Sequence, residues 1–457
     1  MEHGVSERTM RTGESAATPA ATAAGRARRV FLETYGCQMN LADSELVSGI
    51  LRRHGYERTD DPASADVLLL NTCAIREHAE ERVLGRLSEL LRFKTARPSV
   101  QLGLLGCVAS HQRERLLDRA PYLDLVVGPD GYRSLPELLR DATDPQVEVR
   151  LDRGETYADL TPDLAPGPRA WLSVMRGCDK FCTFCVVPYT RGRERSLPAD
   201  AVIAQVEAAV ALGKREVVFL GQTVNAYRDG DTDFAALLRR AARVEGLERI
   251  RFTSPHPSDV SEAMIDAMAE EPKVMPYLHL PLQSASDRVL ERMQRGYGID
   301  EYRALLARIR ERVPGIAVST DIIVGFPGEE EADFEATAAF LEEARYDFAY
   351  LFKYSAREGT RAWRLGETVS EDEKQRRLSR LIDRQEEISL EVNRDWIGRE
   401  VEVLVEGPAK RPPGYAVGKT RNFKTTVFPA AGASPGDLVR VKVEDATAHT
   451  LTGVRVA

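Results

Sequence analysis

The chain has 457 residues, 43% of them hydrophobic and 29% charged, with a net charge of -8, long enough for roughly two to four domains that each bury a core. No stretch approaches the roughly 18 apolar residues of a membrane span, and the acidic balance excludes a protein that coats nucleic acid through bulk positive potential. A globular protein of the cytoplasm is expected, with no membrane partner.

Residues 1–28, rich in Ala, Thr and Gly and lacking an apolar h-region, read as a disordered tail and not as a signal peptide. From 29 to 144 one unit recurs three times. An apolar strand, "RVFLETYGC", "ADVLLLNTC" or "SVQLGLLGC", ends in a cysteine and runs into a helical stretch. Cys37, Cys73 and Cys107 are 36 and 34 residues apart, the period of a βαβ unit. Parallel strands all point the same way, so this domain should bring three thiols to the sheet edge where open α/β folds bind ligands. Residues 145–168, with "RGETYADLTPDLAPG", read as a linker.

A second alternation occupies 169–395. Its strands "AWLSVMRG", "EVVFLGQ", "RIRFTSP", "YLHLPLQS", "VSTDIIVGF" and "YDFAYLFKYS" are separated by helical stretches and predict a partial (β/α)6 barrel. "GCDKFCTFC" places Cys178, Cys182 and Cys185 just after the first of these strands, at the face where such barrels carry their chemistry. "SEDEKQRRLSRLIDRQEEISLEVNRDW" is a long amphipathic helix, a connector with one packed face. Residues 396–457 hold short strands punctuated by Gly and Pro, a small all-β barrel. With nine Lys and Arg against six Asp and Glu, this segment is the electrostatic outlier of an acidic chain.

All six cysteines fall in two sets of three. In a reducing compartment clustered cysteines point to metal before disulfides. Structural zinc prefers CxxC pairs completed to four ligands, and no further Cys or His lies close in sequence to Cys178, Cys182 and Cys185. Three thiolates suit a [4Fe-4S] cluster with one iron left open for a substrate. For Cys37, Cys73 and Cys107 the bland alternative is three buried thiols at strand ends.

"GCDKFCTFC" resembles the signature of the radical S-adenosylmethionine (SAM) superfamily. That resemblance implies a cluster whose open iron is chelated by SAM and whose electron releases a 5′-deoxyadenosyl radical. The N-terminal cysteines, the barrel and the terminal β-barrel together resemble the methylthiotransferases, from about Arg29 to the C-terminus. The resemblance implies a second, auxiliary [4Fe-4S] cluster on Cys37, Cys73 and Cys107 and a TRAM domain at the end. "ETYGCQMNLADSE", "NTCAIREHAEERV", "VVPYTRGRERS" and "DIIVGFPGE" look like the MiaB type, which replaces hydrogen at carbon 2 of isopentenylated adenosine, next to the tRNA anticodon, with a methylthio group. Two uses of SAM, an electron donor such as flavodoxin or ferredoxin, a sulfur donor and a monomeric state are implied with it. Related branches act on threonylcarbamoyl-adenosine in tRNA or on a ribosomal-protein aspartate. A reading from another class, an electron-transfer or redox-sensing protein, would need neither open irons nor SAM-like loops.

Such a hydrogen is unactivated, so a cofactor carries the hard step and no general base is assigned. The resemblance places Gln222, Ser254, His256 and Gly325 near SAM, against capping and turn chemistry as the alternative. Phe181 and Phe184 would shield the cluster or pack as ordinary loop residues. Arg191 and Arg193 could grip tRNA phosphate or line the mouth of the active site, against solvated loop charge. In "GKTRNFKTTVF", Lys419, Arg421, Phe423 and Lys424 have the composition of a strand binder that pairs phosphates and stacks on bases, while Phe428 reads as barrel core.

Overall fold

A computed structural model describes residues 26–74, 77–140 and 144–456. The first 25 residues of the expected tail, and part of the stretch after Cys73, lie outside it. The end of that tail belongs to the first sheet: Arg26 pairs with Asp66, and a strand starts at Arg28.

Six strands, β1 (Arg28–Tyr35), β2 (Tyr56–Arg58), β3 (Val67–Thr72), β4 (Gln101–Gly106), β5 (Leu125–Val127) and β6 (Gln146–Glu148), form one parallel sheet in the order β2-β1-β3-β4-β5-β6. Its central strands are buried on both faces, as in a sheet covered by crossover helices. The three expected units are therefore part of a wider sheet. β2, β5 and β6 are three residues each, too short for a periodic pattern to declare them. β6 lies inside the stretch read as linker. The rest of that stretch is strapped down: Tyr157 is buried, the Asp163 N–H donates to the Glu45 carbonyl, and the Lys214 ammonium reaches the Gly167 carbonyl at 2.9 Å.

The central strands are β7 (Arg169–Ser173), β8 (Glu216–Leu220), β9 (Arg249–Phe252), β10 (Tyr277–His279), β11 (Ala317–Val324) and β12 (Phe348–Lys353). They form two parallel sheets of three, β9-β8-β7 and β10-β11-β12, joined by a parallel bridge from Ile250 to Val274. The result is the six-stranded partial barrel, whose Leu172, Phe219, Ile250, Leu278 and Val318 share one buried core with residues of the surrounding helices such as Val206, Leu237 and Ile309. The long helix α1 (Glu371–Arg394) is more than a solvated connector. Capped by Ser370, it buries Arg377, Leu381 and Ile388, and through Gln385 and Ser389 it bonds the Tyr346 and Asp347 carbonyls beside the last strand.

The terminal strands β13 (Glu400–Pro408), β14 (Tyr415–Thr420), β15 (Thr425–Pro429), β16 (Leu438–Ala446) and β17 (Thr450–Arg455) close into a barrel in the order β13-β14-β15-β17-β16. Phe428 is fully buried in its core, as expected. Among the described residues no helix is long and apolar enough to cross a membrane.

Candidate active site

Both cysteine sets stand at the C-terminal ends of parallel strands. Cys37 caps the helix after β1, Cys73 directly follows β3, and Cys107 opens the helix after β4. β1 and β3 are neighbours, as are β3 and β4, so the three thiols share one edge. A hydrogen bond from Cys73, with help from the Arg191 charge, lowers the Cys37 thiol against the effect of burial; burial pushes Cys107 up. Gly36 makes the approach feasible: at φ +134 it sits where a Cβ would meet the Cys73 Cβ at 2.4 Å.

The second set lies on a loop fixed at many points. Gly177 (φ +77) leaves no room for a Cβ, which would fall 1.9 Å from the Arg193 carbonyl oxygen. Its N–H donates to Gln222 Oε1 at 2.5 Å. Cys178 N–H donates to the Gly192 carbonyl, and Thr183 N–H to that of Met293. Each sulfur meets a hydrogen-bonding group: Thr223 Oγ1 at 3.1 Å from Cys178 Sγ, Arg295 Nη1 at 3.3 Å from Cys182 Sγ, and the Val187 N–H at 3.5 Å from Cys185 Sγ. Burial raises the Cys178 thiol and pushes Cys185 up to about 12.

Among the described residues no group of three or more His, Cys, Asp or Glu is gathered about a single metal-ion centre. A cubane cluster makes a different demand, because each thiolate binds its own iron and the cysteines must ring a volume instead of pointing at one centre. Three thiols on one edge or one loop fit that demand: Thr223, Arg295 and the Val187 N–H stand against the sulfurs of the second set and Arg191 against Cys107, and among the described residues no fourth ligand joins either set.

Several expected contacts take other partners. Arg191 is not free for phosphate: it is 3% exposed, with Nη2 2.8 Å from Asp43 Oδ2 and Nε donating to Cys107 Sγ at 3.1 Å. Arg193 is exposed, paired with Asp179 and lying over the Phe181 ring. Phe184 packs against the small buried cluster formed by Val289, Met293, Phe326, Tyr354 and Ala362. The Gly325 N–H is taken by Glu329, and its Cα faces Lys374 of α1, so this glycine serves turn and helix packing. Ser254 adopts a left-handed backbone (φ 59) beside His256. The His256 Nδ1 meets Ser258 Oγ at 2.7 Å, whereas its buried Nε2 has no partner among the described residues. Burial, with Arg295 and Lys180 nearby, lowers its pKa to about 2, so the ring is neutral.

The loop at 419–424 docks on the barrel instead of facing solvent. Phe423 stacks on Tyr277 at 4.7 Å between ring centres, with Lys419 and Arg251 over its ring. Lys424 pairs with Asp347 at 2.5 Å, and Arg421 donates to the Pro272 carbonyl. Arg249 and Arg251 donate to the carbonyls of Lys419, Thr420 and Arg421. These partners lie at or before the starts of the barrel strands, the end opposite the cysteines. For Phe423 and Lys424 the tRNA expectation is therefore corrected, because the half-buried Phe423 ring is already engaged by Tyr277, Arg251 and Lys419, and the buried Lys424 ammonium by Asp347. Sequence reasoning missed Asp43, Arg176, Thr223 and Arg295, none of which carries a local spacing signal.

Three family models match the chain: Uncharacterized protein family UPF0004 over 29–128, the Radical SAM superfamily over 172–341 and the TRAM domain over 395–456. A tRNA-2-methylthio-N(6)-dimethylallyladenosine synthase of Chloroherpeton thalassium is 46% identical over 430 residues, covering 93% of this chain and 95% of that protein. Its namesake in Burkholderia thailandensis is 40% identical over 441 residues, 93% and 96%. In fold, the chain is similar to the radical SAM methyltransferase TsrM of Kitasatospora setae, with TM-score 0.57 and 16% identity over 74% of this chain and 77% of that one. The order of domains, the cysteine-bearing edges and this near full-length likeness agree: the chain belongs to the radical SAM superfamily and, within it, to the family of the tRNA-2-methylthio-N(6)-dimethylallyladenosine synthases.

Proposed function

We propose that this protein is a transferase that methylthiolates carbon 2 of N6-isopentenyladenosine beside the anticodon of tRNA, with SAM and two [4Fe-4S] clusters. The observation that carries the reading is the near full-length likeness to synthases of that name. Two cysteine triads, one along the edge of the N-terminal sheet and one on the loop after the first barrel strand, support the count of clusters.

In this reading 29–144, extended by β6, holds the auxiliary cluster on Cys37, Cys73 and Cys107. Residues 145–168 strap it to the radical SAM domain, 169–395, whose Cys178, Cys182 and Cys185 hold the SAM-binding cluster. Residues 396–457 are the TRAM domain. The bound group at the second triad supplies one-electron cleavage of SAM, and with it a radical able to take an unactivated hydrogen. The chain's own residues shape and position. Thr223, Arg295 and the Val187 N–H donate to cysteine sulfur, and Gln222 anchors Gly177 at the head of the loop. Neutral His256 offers its free Nε2, with Ser254, to a polar group of SAM. tRNA enters from the cysteine end, the opposite end of the barrel being covered by TRAM. Flavodoxin or ferredoxin as electron donor, a separate sulfur donor, a monomeric state and a cytoplasmic site complete the proposal.

Anaerobic reconstitution tests it. About eight irons per chain, and 5′-deoxyadenosine formed on reduction with SAM, are expected. About four irons, or none of that nucleoside, would remove the two-cluster radical enzyme.

A further inference from the structure

Beside Cys37, Cys73 and Cys107 lies a buried ion triad whose charges do not cancel. Arg176 and Arg191, each 3% exposed, share the single carboxylate of Asp43, at 2.9 Å from Oδ1 and 2.8 Å from Oδ2. Tyr132, the further polar neighbour of Asp43, is kept neutral by burial, and Asp130 is engaged by Arg195. One positive charge is left over. Arg191 Nη1 and Arg176 Nε and Nη1 also have no hydrogen-bond partner among the described residues. Interiors rarely tolerate a buried cation without counter-charge or a buried N–H without an acceptor. The pocket is therefore built for an anion, and the side chains at hand are the cysteines: Arg191 Nε donates to Cys107 Sγ at 3.1 Å, and its charge acts on Cys37 as well.

An oxidised [4Fe-4S] core held by three thiolates is a monoanion, which makes this pocket neutral. We propose that Arg191, held by Asp43 and backed by Arg176, is a positioning residue for the auxiliary cluster, fixing Cys107 and stabilising the negative charge gained on one-electron reduction. The inference rests on the reading of Cys37, Cys73 and Cys107 as cluster ligands. Hydrogen bonds and nearby charge at the sulfurs are established levers on such potentials. No bond forms or breaks in the protein; the electron comes from an external one-electron donor, dithionite in the test below. Because Arg176 stands two residues before Cys178, the same triad ties the two cysteine sets together.

The test uses the full chain with C178A, C182A and C185A, which leaves only the auxiliary cluster. Iron content and a dithionite titration with mediators, followed by electron paramagnetic resonance, are compared between this parent, R191M and R191K. R191M should lower the reduced-to-oxidised ratio at a fixed potential at least tenfold, about 59 mV for one electron, while R191K, which keeps the charge, stays within about threefold. If R191M holds no cluster, R191Q, which keeps a donor without the charge, should show the same tenfold fall. A parent without iron removes the cluster reading and the proposal with it. Iron-loaded R191M or R191Q at the parent's potential overturns the proposal alone.

Discussion

Glu216, at the start of β8, is fully buried between two arginines and offers a stringent test of how the domains are held. Burial alone would raise its carboxyl. Arg251, with Nε 2.8 Å from Oε2, and Arg169, on Oε1, outweigh that and hold it down from 4.5 to about 2. The same arginines reach the terminal barrel, Arg169 through Glu406 at 2.7 Å and Arg251 through the Thr420 and Arg421 carbonyls. E216Q leaves two buried guanidiniums short of their counter-charge, and breaking such a group costs about 3–5 kcal/mol. The pH dependence gives an independent arm. A depressed folded value stabilises above the unfolded value and is lost as pH falls through the folded one; a shift of about 2.5 units corresponds to about 3 kcal/mol, all present at neutral pH. Urea unfolding followed by circular dichroism should thus show E216Q weaker by about 3–5 kcal/mol at pH 7.5, and the gap narrowed by about 2 kcal/mol at pH 3. A difference below about 1 kcal/mol, or one unchanged with pH, would refute the charge network as the link between barrel and TRAM domain.

Further consequences are open to measurement. G177A forces a Cβ onto the Arg193 carbonyl in a left-handed position; it should abolish SAM cleavage and lower iron by about four per chain, and full iron would contradict the geometry. K424M should destabilise the chain by about 3 kcal/mol, since it leaves the Asp347 carboxylate without its counter-charge and with the Val318 N–H alone, yet leave the salt dependence of tRNA binding unchanged; a slope smaller by about 0.7 would mean that Lys424 contacts a phosphate after all. His256, depressed to about 2, takes up no proton in the folded state near neutrality while the unfolded chain does so below about 6.5. Stability is therefore lost as pH falls below that value, less so in H256Q; an imidazole titrating near pH 6.5 by NMR would refute this.

The architecture was legible where the chain repeats itself. Each of the three N-terminal cysteines ends an apolar strand, and parallel pairing alone converts that regularity into one edge. Strands β2, β5 and β6 escaped because three residues carry no pattern. Cys178, Cys182 and Cys185 announced themselves by spacing, whereas Arg295 and Thr223 meet Cys182 and Cys178 only through tertiary packing, across 113 and 45 residues. Arg191 and Lys424 show the converse limit. Next to Gly and Thr in a loop, a basic side chain reads the same whether it awaits a phosphate or a buried carboxylate. Only the fold supplies Asp43 and Asp347.

The central claim is tested most directly by nucleoside mass spectrometry of tRNA from a strain lacking this protein. The account predicts that 2-methylthio-N6-isopentenyladenosine disappears, unmodified isopentenyladenosine accumulates, and the wild-type chain but not C178A or C37A restores the product. Persistence of the methylthiolated nucleoside in the deletion strain, or rescue by either variant, would contradict it.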